Sequence, residues 1–103
     1  MTSPAYSPAP WSYDYSPYQG RNGEIPAFEI FDADGNKIFD TNEDTDAGLQ
    51  EANARLGSTA PRLLAALIVC ANLLADYDEA ECEEGDAYRE ALAAIAEATG
   101  REA

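Results

Sequence analysis

Residues 60–75 read APRLLAALIVCANLLA, and the fold depends on how this stretch is covered. From Leu63 to Ala71 every side chain is apolar, and beyond Asn72 stand Leu73, Leu74 and Ala75. Leu63, Leu67, Cys70 and Leu74 fall on one helical stripe, and Leu64, Ile68 and Ala71 on the next. A helix apolar on nearly all sides is expected inside a core, with other elements covering it. It falls short of the roughly 20 apolar residues that cross a bilayer. Ser58 and Thr59 are its expected caps, and Pro61 stands in the first turn, where a missing N–H does no harm.

The elements that should cover it lie on both sides. Upstream, Phe28, Ile30 and Phe31, then Ile38 and Phe39, flank the turn sequence Ala33-Asp34-Gly35-Asn36. Asp-Gly and Gly-Asn between β-forming residues predict a hairpin, with strands over 27–32 and 37–41. Thr45 or Asp46 then caps a helix over 47–56, with Leu49, Ala52 and Leu56 on its inner face and Gly57 as its stop. Downstream of an acidic connection over 76–86, Asp86 is the expected cap of a last helix. There Tyr88, Leu92, Ile95 and Thr99 line one face, Ala91 and Ala96 widen it, and Gly100 ends it. The expected class is α+β: a β-hairpin followed by three helices packed around a buried central helix.

Residues 1–23 differ in kind. Ser-Pro recurs at 3–4, 7–8 and 16–17, and no aliphatic core residue follows Met1. This segment is expected to be a flexible Pro/Ser/Tyr-rich arm, leaving 24–103 as a single α+β domain. Its aromatics, Trp11, Tyr13 and Tyr15 among them, could supply partner contacts at low entropic cost.

Charge carries most of the functional reading. Twenty acidic residues against six basic ones give a net charge of −14, and there is no histidine. Such a balance repels phosphate, so neither nucleic acid nor an anionic membrane is an expected direct partner. Two cysteines, Cys70 and Cys82, make no disulfide framework. The first is expected as a small core residue, the second in an acidic loop where a thiolate is disfavoured. No basic region followed by an apolar run opens the chain, so a cytoplasmic protein is expected.

Residues 32–43, DADGNKIFDTNE, put oxygen side chains at positions 1, 3, 5, 9 and 12, in the manner of an EF-hand calcium loop. Position 6, which that loop needs as glycine, is Lys37, and Pro26 stands where an entering helix would run. A plain hairpin is the expected structure, with calcium binding as an alternative and no metal ligand or cofactor assigned.

The acidic residues are crowded. Asp76, Asp78, Glu79, Glu81, Glu83, Glu84 and Asp86 lie within 76–86, and Asp40, Glu43, Asp44 and Asp46 form a second group. Like charges this close repel one another and lower stability. In an extended stretch alternate carboxylates stand roughly 6–7 Å apart, comparable with a row of backbone phosphates. With no histidine, lysine or glycine-rich pocket beside them, the pattern suits a binding surface for a basic partner, and no residue is assigned as catalytic.

The segment Glu51-Ala52-Asn53-Ala54-Arg55-Leu56, followed by Ala60-Pro61-Arg62-Leu63-Leu64-Ala65-Ala66-Leu67, resembles a pattern common in small bacteriophage proteins. In these an Asp-x-Asp-Gly hairpin precedes NARL…APxLLxAL, and an acidic linker leads to a helix similar to Tyr88-Arg89-Glu90-Ala91-Leu92-Ala93-Ala94-Ile95. The resemblance covers about 28–100. It implies a phage or prophage origin and, by analogy with small acidic phage proteins, an inhibitor of host defence of the anti-CRISPR or anti-restriction type. Such an inhibitor would imitate DNA and bind a basic host protein or ribonucleoprotein complex in the bacterial cytoplasm. The alternative is a phage accessory or structural module that binds another protein through its helices.

Overall fold

The computed structural model describes residues 6–42 and 44–100. Five strands precede three helices: β1 (Ser12–Tyr15), β2 (Tyr18–Gly20), β3 (Gly23–Ile25), β4 (Phe28–Phe31), β5 (Lys37–Asp40), α1 (Ala47–Ser58), α2 (Ala60–Leu73) and α3 (Glu83–Thr99), with a short 3-10 turn at Ala75–Tyr77. The α+β class stands, as does the order of hairpin and three helices. The chain forms two compact units, Met1–Pro61 and Arg62–Ala103.

In the first unit β4 is the middle strand of an antiparallel sheet ordered β1-β4-β5, and β2 pairs with β3 as a separate hairpin. The β4–β5 hairpin turns where the sequence places it. Asp32 closes the turn: its Oδ1 accepts from the amides of Asp34 and Asn36, both at 2.9 Å. Gly35 takes φ 84°, which a side chain would resist. The register slips between Ile30 and Phe31, so that Phe39 faces Ile30 while Lys37 faces Phe31. Ile38 is the extra residue of this bulge and packs on the core.

The flexible arm expected over 1–23 is not what residues 12–15 form. They pair with β4 in the register Tyr13 with Ile30 and Tyr15 with Phe28, and Ala33 donates to the Pro8 carbonyl at 2.9 Å. The aromatics substitute for missing aliphatics. Tyr13 and Tyr15 set their rings 6.1 and 5.1 Å from Phe28, and Trp11 meets Phe39 edge-on at 6.2 Å.

The centre of burial also differs from expectation. Phe28, Ile30 and Ala54 form the buried cluster, with Trp11, Tyr13 and Ile38 packed on it. Within α1 the buried residues are Gln50 and Ala54, whereas Leu49 and Leu56 are exposed. The inner face is therefore rotated from the expected Leu49–Ala52–Leu56 line. A polar residue faces inward because its needs are met there: Gln50 Oε1 accepts from the Thr41 hydroxyl at 2.6 Å, and Nε2 donates to the Thr45 carbonyl at 2.9 Å. Thr41 in turn accepts from the Phe28 amide at 3.1 Å, so this chain of bonds ties α1 to the end of β4.

Gly57 lies inside α1 and does not stop it. A Cβ there would come 3.1 Å from the Phe39 ring, so the glycine lets the helix sit close to β5. Ser58 and Thr59 donate to the Arg55 carbonyl at 3.1 and 2.7 Å, closing α1 where they were expected to cap α2.

In the second unit Ala71 and Ala91 are buried, and Leu64, Leu67, Leu74, Tyr88, Ile95, Ala96 and Thr99 are half-buried. The inner face of α3 is close to the expected one, although Leu92 stays exposed, and Gly100 ends the helix at φ 71°. The expectation of a buried central helix fails for half of α2: Leu63, Val69, Cys70 and Leu73 are all exposed. An apolar run specifies a helix that gains from being covered, but the covering depends on the neighbours, and this unit has few elements to provide it. Among the described residues no single helix is long and apolar enough to cross a membrane.

Candidate partner-binding surface

The stretch 76–86 is built from short local bonds. After α2 ends, Tyr77 donates to the Leu74 carbonyl at 2.9 Å and Ala80 to the Tyr77 carbonyl at 3.0 Å. Cys82, in extended backbone at φ −145° and ψ 173°, then starts α3. Asp86 is not the cap; it lies inside the first turn, its amide bonded to the Cys82 carbonyl at 2.9 Å. Burial alternates along the approach. Glu79, Glu81 and Glu83 are exposed, while Ala80 and Cys82 between them are half-buried. The carboxylates are therefore held outward by a structured loop.

Two residues not singled out from sequence hold that loop. Arg89 donates to the carbonyls of Asp78 at 2.9 Å and Ala80 at 3.1 Å, and to Asp86 Oδ1 at 2.8 Å. The spacing of Asp86 and Arg89, one helical turn apart, was the signal available. Gly85 is the second. Any Cβ there would collide with the Ala80 carbonyl and approach the Tyr77 carbonyl at 2.9 Å. Gly85→Ala gains about 1 kcal/mol in helix propensity, yet it pushes on backbone that cannot yield, at a cost of about 1–3 kcal/mol. The net expectation is a lower melting temperature with faster amide exchange over 76–86. A higher melting temperature would show the loop to be loosely held.

The seven carboxylates divide by what they do. Glu83, Glu84 and Asp86 occupy the first turn of α3, where the amide ends favour negative charge by about 0.3–1 kcal/mol each at low salt. Asp76, Asp78, Glu79 and Glu81 are exposed and have no ion-pair partner among the described residues.

The second acidic group belongs to the first unit and is mostly taken up locally. Asp46 caps α1, accepting from the Gly48 amide at 3.0 Å, and Asp40 pairs with Lys37 at 3.1 Å. The Asp44 amide donates to Asn42 Oδ1 at 2.9 Å in a small turn, while its carboxylate faces solvent. Glu43 lies outside the described residues. Lys37 also meets Glu29 at 3.2 Å. Both shifts follow: hydrogen bonds from Ser16 and Lys37 lower the Glu29 carboxyl, and bonds to Asp40 and Glu29 raise the Lys37 ammonium. The EF-hand likeness of 32–43 does not extend to the flanking structure, which is strand on both sides where that motif has helices, and Asp32 Oδ1 accepts from the turn amides.

The aromatic residues expected to meet a partner lie in the first unit's own packing. The Trp11 indole N–H donates to the Ser7 carbonyl at 3.0 Å, and its ring also meets Tyr6 at 6.1 Å. Tyr13 is half-buried. Tyr15 is more exposed, and its hydroxyl donates to Glu24 at 3.2 Å. Partial burial, then the bond to Glu24 and its charge, raise the Tyr15 hydroxyl above its usual range. Tyr15 also lines an open recess with Phe28, Ala47, Gly48 and Glu51, where Glu51 is the single charged group.

The family model described as Salmonella phage P22 protein Y8K6 matches residues 1–102. The chain belongs to that family. It is a small phage protein, and the family match takes in the N-terminal segment as well as the helices. No curated protein and no solved structure matches the chain significantly.

Proposed function

We propose that this phage protein is a stoichiometric inhibitor of a host defence nuclease complex, of the anti-CRISPR type, acting in the bacterial cytoplasm. It works by occupancy: outward carboxylates of 76–86 cover a Lys/Arg-rich site that otherwise holds nucleic acid. The observation that carries this reading is the set Asp76, Asp78, Glu79 and Glu81, exposed on a loop fixed by Arg89 and Gly85. Mutual repulsion among them opposes folding, and no local cap or ion pair among the described residues offsets it. A basic partner would. The partner is a protein or ribonucleoprotein, since free nucleic acid would be repelled by the net charge of −14.

The test is competition. Purified protein is added to guide-RNA effector complexes and restriction nucleases, and their DNA binding is measured. One complex should lose DNA binding near equimolar inhibitor, and raising the salt from about 0.1 M toward about 1 M should weaken the inhibitor's own binding steeply. If every complex still binds DNA in the presence of a large excess, the inhibitor reading fails. A phage accessory module that contacts another protein through its helices is the second reading, and the exposed apolar face of α2 favours it.

A further inference from the structure

We propose that α2 is the interface of a two-fold homodimer, in which two copies pack antiparallel through the exposed stripe Leu63, Ala66, Val69, Cys70 and Leu73. Leu63 is 51% exposed, Val69 59% and Leu73 77%. Ala66 and Cys70 lie exposed between them on the same side of the helix. Such a face costs free energy in water along its whole length, and a matching face removes that cost.

The occupant is a second copy because the stripe complements itself. Counting antiparallel about residue 68, Leu63 faces Leu73 of the second copy, and Ala66 faces Cys70. Small residues thus meet at the centre, where helix axes approach closely, and leucines meet at the ends. No charged residue interrupts 63–75, and the charges that bound it have opposite signs: Arg62 before it and Asp76 after it. In the antiparallel arrangement each Arg62 lies at the end of the other copy's helix, where that chain leaves α2 and turns through Ala75–Tyr77, the turn that carries Asp76. A parallel arrangement would set Arg62 against Arg62 and Asp76 against Asp76. Charge therefore selects the antiparallel pair, and the symmetry makes the contact close on itself.

The test uses the full chain under reducing conditions in sedimentation velocity. The parent should be dimeric at about 100 μM, the micromolar range expected of a small interface. Leu73→Glu should weaken the dimer at least tenfold while leaving the circular dichroism spectrum unchanged, because Leu73 is solvent-facing in the single copy. Arg62→Asp and Asp76→Arg should each weaken it, and the two together should restore it. A monomeric parent at that concentration overturns the proposal and leaves the stripe to a different protein. A dimer indifferent to Leu73→Glu, or not restored by the double exchange, overturns it equally.

Discussion

Removing residues 1–16 should abolish the cooperative unfolding of the first unit. The deletion takes away β1, and with it Tyr13 and Tyr15 from Phe28 and Trp11 from Phe39. Fully burying one large apolar side chain contributes about 1.5–3 kcal/mol, and even partial burial of three aromatics is a large share of the 5–15 kcal/mol that holds a small domain. What remains is two separate hairpins, β2–β3 and β4–β5, with one helix, and a two-stranded sheet is marginal in water. Amide exchange over Phe28–Phe31 reports the result. Protection should disappear in the truncated chain. Protection equal to the parent's would mean that β1 is only laid on a sheet that stands without it.

That expectation reverses what composition suggests. A segment rich in Ser, Pro and Tyr with no aliphatic core residue after Met1 reads as an arm, and its loss as harmless. The missed signal was the alternation of Trp11, Tyr13 and Tyr15, a period of two that marks one face of a strand. Aromatics supplied the apolar surface that Val or Ile would give elsewhere.

The β4–β5 hairpin was legible because its turn is chemical: Asp-Gly-Asn gives one shape, and Asp32 closes it. The caps at Asp46 and Gly100 were legible for the same reason. The inner face of α1 was not. Leucine spacing pointed to Leu49 and Leu56, and Gln50 took the inward place because Thr41, distant in sequence, meets it. Gly57 looked like a stop, and Gly85 drew no reading; each is a close approach between backbone and a neighbouring group. In the same way the apolar richness of α2 says that it should be covered and is silent on what covers it. For the acidic stretch, sequence gave the residues, but only the structure separates those that serve α3 from those that face outward unused.

That separation decides the second large effect. Asp78→Asn, Glu79→Gln and Glu81→Gln together remove three outward charges and leave Glu83, Glu84 and Asp86 in the first turn of α3. The Asp78 carbonyl remains available to Arg89, so the loop keeps its shape. Each charge-assisted contact to a lysine or arginine strengthens a partly desolvated interface by roughly tenfold or more, so the three together should weaken partner binding by at least a hundredfold. The free protein should respond in the opposite sense. Relief of crowded like charges should raise its melting temperature slightly, most clearly at low salt.

The direct measurement of the central claim is therefore one substitution set read in two assays: affinity for the proposed nuclease-complex partner, and thermal stability of the free chain at low ionic strength. The account predicts that affinity falls at least a hundredfold while stability rises. Unchanged affinity with unchanged stability would contradict it, and would make 76–86 an ordinary solvated connection between two helices.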